Sequence, residues 1–180
     1  MNKLFKLLFV LVPAALLALW ILPANAGRKA KEGGAPKQDT PTHIAEAPPD
    51  TDWKSKELSY WAQHLSADQV KVCRQGGTEW AWSGEHVHTK ADGVFKCSSC
   101  GSALFPSEAK FESGTGWPSF TRPVEASALT LHVDTSHGMT RTEVRCATCD
   151  AHLGHVFDDG PPPSRKRYCI NSVCLLHQEQ

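Results

Sequence analysis

Four of the seven cysteines in this 180-residue chain fall into two Cys-x-x-Cys pairs, Cys97-Ser98-Ser99-Cys100 and Cys146-Ala147-Thr148-Cys149. Each pair is followed at once by a small or turn-forming residue, Gly101 or Asp150. That pattern reads as a strand running into a turn that points two thiolates at one ion. Together the turns supply the closed tetrahedral sulfur set of a structural Zn²⁺ site, so Cys97, Cys100, Cys146 and Cys149 are expected to hold one zinc per chain. The fold must then bring two distant turns together, and a site with four protein ligands leaves no open position for water. The competing arrangement is a pair of disulfides, which an exported protein could form, although neighbouring cysteines this close make strained rings.

Export is expected from the N-terminus. Lys3 and Lys6 precede an apolar run from Leu7 to Leu22, and Ala24-Asn25-Ala26 supplies a small-x-small cleavage pattern, so residues 1–26 read as a signal peptide. The run is slightly short for a membrane span of about 20 residues; uncleaved, it would serve as a membrane anchor. Residues 27–52 hold Gly33-Gly34, Pro36, Pro41, Pro48 and Pro49 with almost no large apolar side chain, the composition of a disordered tether. A single folded domain, expected as a monomer, is assigned to residues 53–178. Its location is expected to be periplasmic or secreted. The chain has 19 basic and 19 acidic side chains, and loss of Lys3 and Lys6 leaves 17 against 19. That balance provides no nucleic-acid surface and no polybasic membrane patch.

Within the domain, Leu58, Trp61, Ala62 and Leu65 recur at helical spacing. Ser66 and Gln69 form a capping-box pattern for a second short helix in which Ala67, Val70 and Cys73 share a face, ended by Gly76-Gly77. Cys73 reads there as a small core residue. Beyond Thr78, short β-branched and aromatic runs alternate with Gly, Pro, Asp and Ser. Strands are predicted at about 94–96, 129–133, 142–145, 154–157 and 168–175. No long helical period separates them, so the expected fold is mainly β and antiparallel, with short N-terminal helices.

Outside the cysteine pairs, three clusters carry chemistry. Gly114-Thr115-Gly116-Trp117-Pro118-Ser119-Phe120 is a rigid aromatic loop, His152 and His155 follow the second cysteine pair, and Arg167-Tyr168-Cys169-Ile170-Asn171-Ser172 lies near the C-terminus. Alternation along a strand from Tyr168 puts Cys169 and Asn171 on one face. Singly, Trp117 reads as core and the histidines as hydrogen-bonded surface groups. Together they offer a thiol nucleophile, imidazoles to carry protons, an amide to orient a polar group and an indole to pack an apolar one.

At these residues the chain resembles the B-type peptide methionine sulfoxide reductases, which act on the R-epimer. The resemblance runs from about Lys56 to Leu176. It includes Gly77-Thr78-Glu79, both cysteine pairs, Ser113 through Phe120, His137-Gly138-Met139, Cys149 through Phe157 and Arg167 through Ser172. It implies two antiparallel sheets, a structural zinc on the four paired cysteines, and Cys169 as nucleophile with His152, His155, Asn171 and Trp117 around it. The implied partners are proteins or peptides containing methionine sulfoxide and an external, thioredoxin-like or other thiol reductant.

That chemistry needs Cys169 as thiolate, which Arg167 or a histidine would favour. The histidines would serve the departing oxygen, Asn171 would orient it, and Trp117 would pack the methyl on sulfur. The product on the enzyme is a sulfenic acid. Many family members place a resolving cysteine where this chain has Thr115. Cys174, five residues along a strand, would sit roughly 16–17 Å away on the opposite face, which leaves Cys73 as the internal candidate beside an outside thiol. Two other readings compete: a zinc-stabilised binding module without activity, and a cysteine hydrolase using Cys169 with His152 or His155, for which no third residue or oxyanion loop is evident.

Overall fold

The computed structural model of the protein describes residues 51–180. The expected signal segment and all but the last two residues of the expected tether lie outside the described residues. Among the described residues no helix is long and apolar enough to cross a membrane.

The chain enters through a helical cover. In α1 (Leu58–His64) only Trp61 is buried, and Leu65 is buried at the C-cap, whereas Leu58 stays exposed. The buried face is therefore narrower than the helical spacing implies. Trp61 stacks on Trp53 at 5.7 Å and carries the Arg74 guanidinium 4.3 Å above its ring. The capping box forms as predicted: Gln69 N–H donates to Ser66 Oγ, and Ser66 N–H donates to the Gln69 side chain. From α2 (Ala67–Gln69) the chain widens into a π-helical turn, Val70–Arg74. The wider turn changes the angular step between residues, so Val72 and Cys73 face inward and Ala67 does not.

The strands are β1 (Gly93–Cys97), β2 (Ala103–Pro106), β3 (Lys110–Phe111), β4 (Ser119–Phe120), β5 (Leu129–Asp134), β6 (Arg141–Cys146), β7 (His152–Phe157), β8 (Arg167–Ile170) and β9 (Leu175–Glu179). They form two sheets, a three-stranded one in the order β2-β1-β9 and a six-stranded one in the order β3-β4-β8-β7-β6-β5. Every pairing is antiparallel, as expected. The short strands β2, β3 and β4 had no alternation long enough to mark them in the sequence. Phe95 and Phe105 of the small sheet pack on Phe120 of the large one at 5.0 and 4.4 Å between ring centroids. All three are fully buried, and burial of each such ring stabilises the fold by about 1.5–3 kcal/mol.

The strand predicted over 168–175 is not continuous. β8 ends at Ile170, Ser172–Cys174 form a 3₁₀ turn, and β9 starts at Leu175 in the other sheet. The turn carries Cys174 back under the helical cover, where it forms a disulfide with Cys73 with Cα atoms 5.7 Å apart. Cys73 is thus a core residue as expected, but a bonded one. The idea that Cys73 serves as a resolving thiol is overturned, because its sulfur is already spent on Cys174.

The disulfide closes a loop across a sequence separation of 101 residues, and closing a loop of that size restricts the unfolded chain strongly. Cys73→Ser combined with Cys174→Ser is expected to lower the unfolding free energy by about 2–4 kcal/mol, measured as a fall in the urea midpoint. An unchanged midpoint would show that the cross-link contributes nothing to stability.

Candidate active site

Register across the large sheet sets one row of side chains. Ser119 of β4 is opposite Cys169 of β8, Cys169 is opposite His155 of β7, His155 is opposite Glu143 of β6, and Glu143 is opposite His132 of β5. Directly opposed residues project from the same face, so the thiol lies in a polar row with an imidazole beside it.

His152 joins that row through an irregularity. Two residues three apart on a regular strand point to opposite faces, yet the His152 and His155 rings lie 5.6 Å apart. A register shift between Val144 and Arg145 in the β6–β7 pairing supplies the extra residue that turns His152 round. Gly154, between the histidines, lets β8 come close: a Cβ there would collide with the Cys169 carbonyl. Small size is what this position requires.

Each histidine is held by a carboxylate. Glu143 Oε1 lies 2.6 Å from His152 Nδ1, and Asp134 Oδ2 lies 2.7 Å from His155 Nε2. Arg145 engages the other Glu143 oxygen at 2.9 Å, and Arg141 engages Asp134 at 2.6 Å. Burial pushes the Glu143 carboxyl up, but Arg145 and His152 outweigh it and leave the group below its ordinary range. Hydrogen bonds from Ser136, and then from His155, hold Asp134 well below the carboxylate range. Both acids are therefore acceptors at neutral pH, which places the His152 proton on Nδ1 and the His155 proton on Nε2. His152 Nε2 is buried without a protein partner among the described residues. Burial lowers the pKa of His152, against the pull of Glu143, so the ring rests neutral with the Nε2 lone pair available.

Cys169 is half-buried and free. Burial raises its pKa; the charge of Arg167 and hydrogen bonds from Thr115 and Arg167 oppose this without reversing it. The expected help from Arg167 is therefore present but partial. Asp159 grips the Arg167 guanidinium with two bonds of 2.8 and 2.9 Å and spreads its charge, while Phe157 stacks beneath it at 4.5 Å. Thr115 belongs to a hydroxyl chain, with Ser113 Oγ 2.8 Å from Thr115 Oγ1 and Ser119 Oγ donating to Ser113 over 2.8 Å.

Asn171 sits just beyond β8, at the N-cap of the 3₁₀ turn and not within a strand. Its amide donates to Leu153 O at 3.0 Å and accepts from Glu79 N at 3.1 Å. Glu79 ties the region together. Its carboxylate accepts from the backbone N–H of Ser172 and, at 3.0 Å, of Val173, and its carbonyl accepts from Trp117 Nε1 at 3.3 Å. One residue thereby fixes the turn after the nucleophile and the indole beside it.

The paired cysteines converge as predicted. Sγ atoms of Cys97 and Cys149, and of Cys100 and Cys146, are 3.7 Å apart, and all four lie within 4.8 Å of one another. Disulfide sulfurs sit about 2.05 Å apart, whereas four sulfurs on one Zn²⁺ at about 2.3 Å sit at tetrahedral-edge separations. The cluster could hold a metal ion, and it fits zinc. Gly101 and Asp150, with φ of 78° and 59°, make the matching left-handed turns, and their N–H groups bond Cys97 O and Cys146 O.

A SelR domain model matches residues 65–179. This chain belongs to the SelR family. Among curated proteins, this SelR chain is 57% identical over 120 residues to "Peptide methionine sulfoxide reductase MsrB" of Azotobacter vinelandii, covering 67% of this chain and 90% of the relative. It is 58% identical to the protein of that name from Pseudomonas fluorescens strain Pf0-1, with 67% and 92% covered. For Pseudomonas aeruginosa strain UCBPP-PA14 the identity is 56%, with 67% and 91% covered.

In this SelR domain Cys169, His152, His155, Asn171 and Trp117 lie on adjoining elements, and the metal-site cysteines form a separate cluster between β1 and β6. Glu79, Glu143 and Asp134 hold the site together although no motif around them marks that role. Glu79 was visible in Gly77-Thr78-Glu79, and Arg141, Glu143 and Arg145 alternate along β6, a pattern that marks one polar face.

The depressed pKa of His152 sets a pH dependence. The unfolded chain takes up this proton first, near the ordinary His value of about 6.5, so acid favours unfolding. Stability is expected to decline as pH falls from about 6.5 toward the lower folded pKa, and His152→Gln should flatten that part of the curve. Urea midpoints measured between pH 5 and 8 check this; parallel curves for the two proteins would remove His152 as the cause.

Proposed function

We propose that this chain is an exported, thiol-dependent reductase that returns the R-epimer of methionine sulfoxide in proteins to methionine. The observation that carries the reading is a free Cys169 in register with His155, whose ring lies 5.6 Å from that of the carboxylate-held His152, in a chain 57% identical to an MsrB relative over 120 residues.

In the first step Cys169, as thiolate, attacks the sulfoxide sulfur and the S–O bond breaks. The S–S bond made by that attack then breaks as the protonated oxygen passes to the cysteine sulfur, leaving a sulfenic acid on Cys169 and the substrate sulfur as a thioether, reduced by two electrons. The oxygen needs a proton as the S–O bond weakens; Cys169, on becoming thiolate, gives its proton to the free lone pair of His152 Nε2, the imidazolium so formed delivers it to the oxygen with His155 beside it, and Asn171 orients the oxygen. Trp117, its indole fixed through Nε1, packs against the methyl on sulfur. An outside thiol then condenses with the sulfenic acid and releases water, and a second outside thiol frees Cys169 and departs with the first as a disulfide. The donor is external because the other six cysteines are committed: four to the metal cluster and two to the disulfide. The free thiol and intact polar shell favour this reading over an inactive binding module.

The metal proposed for the thiolate cluster is one structural zinc. Export is supported by the N-terminal signal pattern and by the buried Cys73–Cys174 disulfide, since such bonds persist in oxidising compartments. Native mass spectrometry of protein from the exported fraction checks both: the mass should include one zinc and begin at Gly27. A metal-free mass, or one including residues 1–26, would refute the corresponding proposal.

The activity is tested with R- and S-methionine sulfoxide and dithiothreitol, with Cys169→Ser as control. Consumption of the R-epimer alone, abolished in the variant, is expected. Turnover of neither epimer would favour the binding module.

A further inference from the structure

The segment from Thr78 to Gly84 carries two tryptophans that the proposed chemistry does not use. Trp80 is 87% exposed and Trp82 57% exposed. Exposed indole of this extent has lost the stabilisation that burial gives apolar surface, and neither ring belongs to the hydrophobic core. Exposed apolar surface beside a binding site is where a folded domain meets a partner.

The segment is not loose. Glu79 N–H bonds Asn171 and Glu79 O receives the Trp117 indole, while Trp82 N–H donates to Gly116 O at 2.8 Å. Ser83 Oγ donates to Trp80 O at 2.7 Å. Trp82 holds φ at 69°, an uncommon conformation for a bulky side chain. Its indole lies against Gly116, where even a Cβ would come within 3.0 Å of Trp82 Nε1, and its ring faces His88 at 6.0 Å. The fold therefore holds the backbone of residues 79–83 and the Trp82 ring at a fixed place beside the loop that bears Trp117, and the Trp80 ring projects into solvent from that fixed backbone.

We propose that Trp80 and Trp82 form a docking surface for the polypeptide flanking the oxidised methionine, and that it favours apolar flanking residues. The inference rests on the reductase reading, which supplies a polymeric substrate whose reacting side chain enters beside Trp117. A chain that places one side chain there must cross the neighbouring surface, and the surface joined to the Trp117 loop by hydrogen bonds is the one these indoles occupy. Tryptophan suits the task because it offers large rigid contact area to varied apolar partners and loses little side-chain entropy. Methionines in proteins commonly have apolar neighbours, which a damaged or partly unfolded substrate exposes together with the sulfoxide.

The test uses the full mature chain, its metal site intact, with free L-methionine-R-sulfoxide and two short peptides carrying a central R-sulfoxide. One peptide has Leu and Val flanks, the other Gly and Ser flanks. Trp80 is the residue to change, since its ring is almost fully solvated and its loss opens no cavity; Trp82 is left intact because it packs on Gly116. For the wild type, KM should be lower with the apolar-flanked peptide than with the Gly/Ser peptide. Trp80→Ala should raise the apolar-flanked KM roughly five- to twentyfold, leave free sulfoxide turnover unchanged and erase the preference between peptides. Trp80→Phe should recover part of it. Equal wild-type KM values, an unchanged Trp80→Ala preference, or a parallel loss on free sulfoxide would each overturn the docking surface while leaving the reductase reading standing. Wild-type inactivity on all three substrates would overturn both.

Discussion

Everything at the site depends on how the chain leaves β8. The strand carrying Cys169 belongs to the six-stranded sheet, and after only four intervening residues the chain is in the other sheet. That crossing exposes backbone N–H groups inside the protein, where an unmet donor costs about 1–3 kcal/mol. The Glu79 carboxylate meets those of Ser172 and Val173. Burial raises the Glu79 pKa, and the same two N–H groups pull it back, so the charge and the turn support each other. Because Glu79 also binds Asn171 and Trp117 through its backbone, the crossing and the site form one hydrogen-bonded unit.

The cysteines divide into three environments with separate consequences. The four-sulfur cluster joins the end of β1 in one sheet to the end of β6 in the other, and Arg74 bonds Cys149 O at 2.9 Å to pin the helical cover to it. The disulfide fastens the same cover to the chain crossing. Cys169 alone remains free, raised in pKa by burial and beside a partly neutralised Arg167. Its thiolate is thus a minority species at rest, and the surrounding hydrogen bonds favour it only in part.

Much of this was legible in the residues. The metal-site cysteines, the antiparallel β class and the capping box follow from spacing, because turns, caps and strands are local and leave local patterns. The short strands β2 to β4 left none, as two to four residues cannot display alternation. The expected single strand over 168–175 does not form, and the sequence cannot show this because a β-rich run looks the same whether it continues in one sheet or passes to another. Its break at Asn171 is imposed by Glu79, some ninety positions earlier in the chain, and no local signal carries that.

The sequence by itself determined which side chains are available: one unpaired set of chemistry-bearing residues around Cys169, two turns able to share an ion, and Thr115 in place of a thiol. Tertiary structure decided their relations. A single irregularity between β6 and β7 puts both histidines on one face, carboxylates on β5 and β6 fix their protons, and the chain crossing brings Cys174 to Cys73 and away from Cys169. The division has a physical reason. Coordination and catalysis need particular atoms, which composition supplies, but a proton's position or a sulfur's partner depends on distances of a few ångströms between distant parts of the chain.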